Sequence, residues 1–340
     1  MQIAVHRPAD RQTRSERPET GEALVRTMNP TSSATAAAAS TGVTGAPFDL
    51  DDTRAYGAWR ARKLADAPSC AADLTVPVAA PETPTAEEIA ALRAQCGRAN
   101  MALYRTSAVL TKEQVLALSA AVGLTHLERP LLTGEDGITE LSVAGMANDG
   151  IGGDKRRGIY IPYSNKPLSW HTDGYYNPTG QWVLGMVLHC VRPAASGGAS
   201  QFLDPDIAYI RLRDENPAWV AALMHPETLT IPANDVETDR PRGAETGPAF
   251  AVIGGRLAMR YTHRLRSAVW RDDADTQAAR GFLRALLEDG DPMVLDCRLA
   301  AGEGIISNNV LHRRTGFENP SQSGAGRLLY RARFRDRIDA

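Results

Sequence analysis

"LSWHTDGYYNP", residues 168–178, decides how this chain is read. The stretch is aromatic and apolar, yet it carries His171 and Asp173 two positions apart. In an extended strand, residues i and i+2 leave the same face. An imidazole and a carboxylate are therefore delivered side by side, an arrangement that suits two ligands on one metal. Surface strands and turns also display such pairs, so the stretch acquires meaning only if a further ligand lies elsewhere in the chain.

The candidate third ligand is His312 in "GEGIISNNVLHRRTGF", residues 302–317, after a glycine-bounded apolar strand. Two imidazoles and one carboxylate form the facial triad of non-haem iron sites, which leaves coordination positions open. The other histidines fit less well. His189 lies in the alternating run "VLGMVLHCV" and reads as a core or hydrogen-bonded histidine. His126, His225 and His263 stand in polar or loop-like contexts, and His6 is near the start. After His312 comes "GRLLYRARFRDR", residues 326–337. Alternation puts Arg327, Leu329, Arg331, Arg333 and Arg335 on one face, and Leu328, Tyr330, Ala332 and Phe334 on the other. Such a row is either a solvated edge strand with its charges outward or a set of guanidinium groups that grip carboxylates in a pocket. Periodicity alone leaves both open.

Around these motifs the chain changes texture. Residues 1–46, with "NPTSSATAAAASTGVTGA" (29–46) among them, are small and polar and read as a disordered tail, within which Met28 is a second candidate start. The remaining 47–340 read as one domain. "TPTAEEIAALRAQCGRANMALYR" (83–105), with a capping Thr85, and "TKEQVLALSAAVGL" (111–124) carry helical spacing. "GIYIPYS" (158–164), "WVLGMVLHCV" (182–191), "TLTIPA" (228–233), "AFAVIGGRLAMRY" (249–261) and "GRLLYRARFRD" (326–336) read as strands bounded by Gly or Pro. Residues 204–224 and 273–290 read as helices. The Gly-rich, charged 146–161 reads as a surface loop, with a lid over the site as the alternative. Short strands with helical insertions predict a mainly antiparallel β fold with flanking helices.

With 43% hydrophobic and 23% charged residues in 340, the composition is that of a globular chain. A formal net charge of −2 gives no reason to expect a nucleic-acid partner. No apolar run is long enough to span a bilayer. Cys70, Cys96, Cys190 and Cys297 are scattered, with no CxxC pair, which points to free thiols in a reducing cytoplasm. Oligomeric state is left open, a homo-oligomer included.

The combination of "WHTD" (170–173), "SGGAS" (196–200), "SNNVLHRRTGF" (307–317) and "RLLYR" (327–331) resembles the taurine dioxygenase/TfdA-like branch of the Fe(II)- and 2-oxoglutarate-dependent dioxygenases, with its clavaminate-synthase-like relatives. The resemblance covers about residues 100–337. It implies a double-stranded β-helix, a cupin-like jelly roll whose mouth holds iron. It also implies His171, Asp173 and His312 as metal ligands. Arg327, with Ser200, would hold the distal carboxylate of the co-substrate 2-oxoglutarate. Arg331 would face the substrate. Tyr175 and Tyr176, which follow the proximal motif, either line its pocket or simply pack. The implied reaction consumes O2, releases succinate and CO2, and hydroxylates a C–H bond of a small polar or anionic molecule. Here the cofactor supplies reactivity and the protein supplies position. Asp173 disfavours a halogenase, in whose relatives that carboxylate is lost. A zinc hydrolase using the same three residues would leave Arg327 and the Gly-Gly-Ala-Ser segment without a role. A non-catalytic binding protein would not need the full ligand set.

Overall fold

The structure, a computed structural model, describes residues 47–130, 133–143, 161–234, 242–264, 268–319 and 326–339. The expected tail (1–46) and all of the 146–161 loop except Ile161 lie outside the described residues. The strands begin with β1 (Thr75–Pro77), β2 (Met101–Arg105), β3 (Leu127–Glu128) and β4 (Thr139–Leu141). Next come β5 (Leu168–His171), β6 (Gly185–Arg192), β7 (Ser196–Gly197), β8 (Ser200–Leu203) and β9 (Leu229–Ile231). Then follow β10 (Glu245–Gly247), β11 (Phe250–Ile253), β12 (Arg256–Met259), β13 (Val269–Trp270) and β14 (Leu295–Cys297). The last are β15 (Glu303–Ser307), β16 (Leu311–Arg314), β17 (Phe317–Glu318) and β18 (Leu328–Phe334). The helices are α1 (Thr53–Ala65), α2 (Ala86–Ala99), α3 (Lys112–Ala121), α4 (Pro205–Glu215), α5 (Pro217–Met224) and α6 (Ala274–Asp289).

Two sheets matter most. The major sheet runs β1-β2-β15-β6-β18-β3, with β4 also pairing β18; the minor sheet runs β14-β8-β16-β5. Apart from β1 with β2, their pairings are antiparallel. Met101, Leu103, Met186, Leu188, Ile305 and Leu329 of the major sheet pack against Phe202 and Leu295 of the minor one, which is the interior of a jelly roll. The opposite face of the major sheet, with Tyr104, Val187, Ile306, Ala332 and Phe334, packs on α2 and α3 through Leu92, Cys96, Val115 and Leu118. The back of the minor sheet, with Trp170, Leu203 and Leu311, packs on α4 to α6. β6 is therefore covered on both faces, and it reads as a continuous apolar run rather than an alternation.

Local chemistry sets the element boundaries. Thr85 accepts the Glu88 N–H and the Glu88 carboxylate accepts the Thr85 N–H, a capping box that starts α2. Asn100, at φ +55, ends that helix. "MALYR", which the sequence reading ran on from the helix, is instead strand β2. Residues 204–224 form two helices rather than one, because Pro217 cannot continue α4 and Asn216 caps α5. In "GIYIPYS" the described part is residues 161–164, of which Ile161–Tyr163 form a 3-10 turn and not a strand. α1 carried no signal strong enough to be expected. β18 is no solvated edge: it lies between β6 and the pair β3 and β4.

Candidate active site

β5 and β16 are neighbours, and their register sets His171 directly opposite His312. Cross-strand partners leave the same face, so the two rings meet with centroids 4.2 Å apart. Past Thr172 the chain turns at Gly174, φ +65, where an added Cβ would lie 2.4 Å from Val183 Cγ2. Only glycine fits there, and Asp173, just before the turn, places Oδ1 3.7 Å from His171 Nε2. Ligand atoms of His171, Asp173 and His312 lie within 4.8 Å of one another, and all three residues are buried.

The surroundings prepare these groups for a cation. The Nδ1–H of His171 donates to Ser169 O at 2.8 Å and that of His312 to Val310 O at 2.9 Å. Each Nε2 therefore carries the available lone pair. Asp173 Oδ1 lies 3.3 Å from Arg331 Nη1, while Oδ2 is buried with no hydrogen-bond partner among the described residues. A buried acceptor left so costs about 1–3 kcal/mol unless another group completes it. Burial pushes the Asp173 carboxyl up, but the guanidinium of Arg331, with His171 and Arg333, outweighs it and holds the pKa well below the usual carboxylate range. Burial and the neighbouring His171 push His312 down to about 3. Two imidazoles presenting Nε2 and one carboxylate with an orphaned oxygen fit a divalent metal.

Around the trio stands a second layer, of which sequence reasoning missed Asn309, Glu128 and Asn177. Asn309 accepts the Asp173 N–H at 2.8 Å and donates through Nδ2 to Asp173 O at 2.9 Å and Val183 O at 2.7 Å. Its φ of +49 is tolerated by asparagine better than by most side chains, the one signal that could have marked it. Glu128 accepts from Arg333 Nε at 2.7 Å, and Arg333 Nη1 donates to Tyr176 Oη at 3.0 Å. Asn177 Nδ2 also reaches Glu128, at 3.3 Å. No local pattern announces Glu128, which comes from distant β3.

Beside the trio lies a pocket lined by Ser200, Arg327, Gly197, Gly198, Leu299 and Leu329. In the β8–β16 register His312 pairs Phe202 and Arg314 pairs Ser200, so Ser200 is one same-face step, about 7 Å, from the level of His312. Arg327 is buried, with its guanidinium 5.1 Å from the Phe317 ring centroid, and no carboxylate among the described residues pairs with it. Burial lowers its pKa to about 10, so it stays charged near neutrality. An uncompensated buried guanidinium beside a hydroxyl suits a carboxylate from outside.

The remaining predicted residues fall as follows. Arg331 lies on Asp173 rather than facing open solvent. Tyr175 packs edge-on to Tyr176 at 5.3 Å, close to Thr262 and Arg264. Arg313, the neighbour of His312 in sequence, lies 5.1 Å over the Trp170 ring. Arg314 is buried and donates to the carbonyl of Ser164 at 2.9 Å. His189 is a satisfied core histidine: Leu110 N–H donates to Nε2 and Nδ1 meets Tyr104 Oη, both at 3.0 Å. His126 contacts Asp336, and His263 contacts Tyr261 and Glu288, away from the trio.

Comparison with known proteins agrees with this geometry. Residues 60–333 match the family model described as taurine catabolism dioxygenase TauD, TfdA family. Over 174 residues the chain is 32% identical to a uridine-5'-phosphate dioxygenase of Amycolatopsis sp, covering 48% of this chain and 59% of the relative. A uridine-5'-phosphate dioxygenase of Streptomyces sp is 31% identical over 181 residues, covering 50% and 62%. The alignments thus span less than two thirds of these curated relatives. Among solved structures, asparagine oxygenase with Fe(II), 3-hydroxyasparagine and succinate superposes with a TM-score of 0.51 at 17% identity, covering 74% of this chain and 79% of the other. The non-heme iron oxygenase OrfP, with Fe, succinate and dihydroxyarginine, gives 0.52 at 16%, covering 74% and 81%. The jelly roll expected from the sequence is the fold of these oxygenases, and neither the hydrolase nor the binding-protein alternative gains support. With the family model matched across most of its length, the chain belongs to the taurine catabolism dioxygenase TauD/TfdA family.

Proposed function

We propose that the chain is an Fe(II)- and 2-oxoglutarate-dependent dioxygenase that hydroxylates a C–H bond of a small anionic substrate. The observation that carries this reading is the buried His171, Asp173 and His312 trio, with its orphaned Asp173 oxygen, beside a pocket holding the uncompensated Arg327. Iron bound there with 2-oxoglutarate would use dioxygen to oxidise the substrate, with release of succinate and CO2. The chain's own residues bind and orient. His171 and His312 present Nε2 because their Nδ1–H groups are held by carbonyls. Asp173 supplies the one negative charge, kept ionised by Arg331. Arg327 grips the distal carboxylate of 2-oxoglutarate, and the Ser200 hydroxyl donates to it. Phe202, Leu188 and Leu329 exclude water beneath the site. Arg331 and Tyr175 lie on the substrate side, and the names of the curated relatives make a nucleoside 5'-phosphate the first substrate to try.

Among the described residues no helix is long and apolar enough to cross a membrane. Four free cysteines agree with action in the cytoplasm. Anaerobic titration with Fe(II) and 2-oxoglutarate, followed by the weak visible charge-transfer band, tests the assignment. The band should form in the wild type. It should vanish, together with succinate production, in His171→Ala, Asp173→Ala and His312→Ala. Wild-type succinate formation in any of the three would refute the ligand set.

A further inference from the structure

The segment that follows β12 runs beside the metal ligands. Thr172 N–H donates to Tyr261 O at 3.0 Å, His263 N–H donates to Trp170 O at 2.9 Å, and Thr262 stands directly opposite His171. Tyr261 and His263 meet each other at 3.1 Å, and His263 reaches Glu288 of α6, so those two side chains point away from the metal. By alternation, Arg260, Thr262 and Arg264 project to the side of His171. Tyr175, two residues beyond Asp173, lies against Thr262 and Arg264.

Charge on this side is unbalanced. Glu128 is taken by Arg333 and Asp173 by Arg331. Arg242, 5.8 Å from the Tyr176 ring centroid, and Arg260 and Arg264 have no carboxylate at ion-pair distance among the described residues. Arg260 is 2% exposed; its Nη2 donates to the carbonyls of Leu229 and Glu245, while its Nε and Nη1 meet no acceptor among the described residues. Uncompensated guanidinium groups beside low-dielectric walls concentrate positive potential and draw anions to the cleft. Arg264 is the exposed member, free to meet a ligand arriving from solvent.

We propose that Arg264, with the hydroxyls of Thr262 and Tyr175, binds a phosphate group carried by the substrate, while Arg260 and Arg242 supply background charge. Partners of the His171–Thr262 kind hold Cα atoms about 4.5 Å apart, and two extended residues add about 6.6 Å. A phosphate on Arg264 therefore sits on the order of 10 Å from the metal ligands, which makes the oxidised carbon a near neighbour of the anion in a small molecule. The inference rests on the trio being the reacting centre, but its test separates the two.

Inorganic phosphate is titrated by calorimetry into the full chain, with and without Fe(II) and 2-oxoglutarate, under argon. The expected result is saturable binding that weakens at least tenfold in Arg264→Gln, recovers in part in Arg264→Lys, and weakens with added salt. Thr262→Val, nearly isosteric, should weaken it by a smaller factor. Phosphate binding that persists when no charge-transfer band forms would count against the oxygenase reading and leave the anion site standing. No binding to the wild type, or equal affinity in wild type, Arg264→Gln and Thr262→Val, overturns the proposal.

Discussion

Asn309 binds the backbone on both sides of Asp173 while its own chain leads into β16 and His312. It thereby fixes Asp173 relative to His312, two of the residues proposed as ligands. Groups that orient ligands in this way typically change metal affinity by roughly ten- to a hundredfold when removed. Asn309→Gly keeps the left-handed backbone and removes only the side chain. It should lower Fe(II) affinity by that factor in a competition titration, and an unchanged affinity would mean the clamp serves folding alone. Arg327 acts by charge and shape together. Arg327→Ala should weaken 2-oxoglutarate by roughly ten- to a hundredfold, measured as the apparent constant in succinate formation. Arg327→Lys should recover only part, because an ammonium lacks the planar fork. Arg331→Ala should disturb substrate use more than co-substrate affinity; the reverse outcome would require the two arginines to exchange roles.

At the scale of one element, β18 shows why charge rows are hard to read. Leu329, Arg331 and Arg333 share the inner face, as the alternation predicted, while Tyr330, Ala332 and Phe334 meet the helices. The arginines do three different jobs: Arg327 lines the pocket, Arg331 meets Asp173, and Arg333 meets Glu128 and Tyr176. The alternation was legible because a strand repeats every two residues. The partners were not, because Glu128 and Asp173 come from other elements and no local rule links them. The same division holds for the candidate metal site. His171 and Asp173 were legible from their spacing, but His312 had to be chosen by context, and its register opposite His171 is a product of the whole sheet. Removing one side of a buried ion pair strands the other charge, at about 3–5 kcal/mol. Urea denaturation of Glu128→Ala and Arg333→Met should each show a loss of this size, with the double variant losing less than the sum. Additive losses would show that the pair is not coupled.

Across the whole molecule, described contacts begin at the first described residue. Arg213 donates to the carbonyls of Pro47 at 2.9 Å and Asp49 at 2.9 Å, and Phe48 is buried against Trp59 and Tyr209. Starting the chain at Pro47 should leave the melting temperature unchanged, since residues 1–46 offer little apolar surface to bury. Phe48→Ala should cost about 3–5 kcal/mol. A sharp fall in melting temperature for the first variant would move the domain boundary upstream. The cross-strand pairing of His171 with His312 has a thermodynamic reach beyond the reaction. These residues come from distant parts of the chain and are brought together only in the native state, so any ion held by both is a reversible cross-link. By mass action, free metal at a hundred times its dissociation constant adds about 2.7 kcal/mol to the native state. Melting temperature should therefore keep climbing with metal concentration past saturation of the site, and the climb should disappear in His312→Ala. Metal supply would then govern how long the folded protein survives, and not only how fast it turns over.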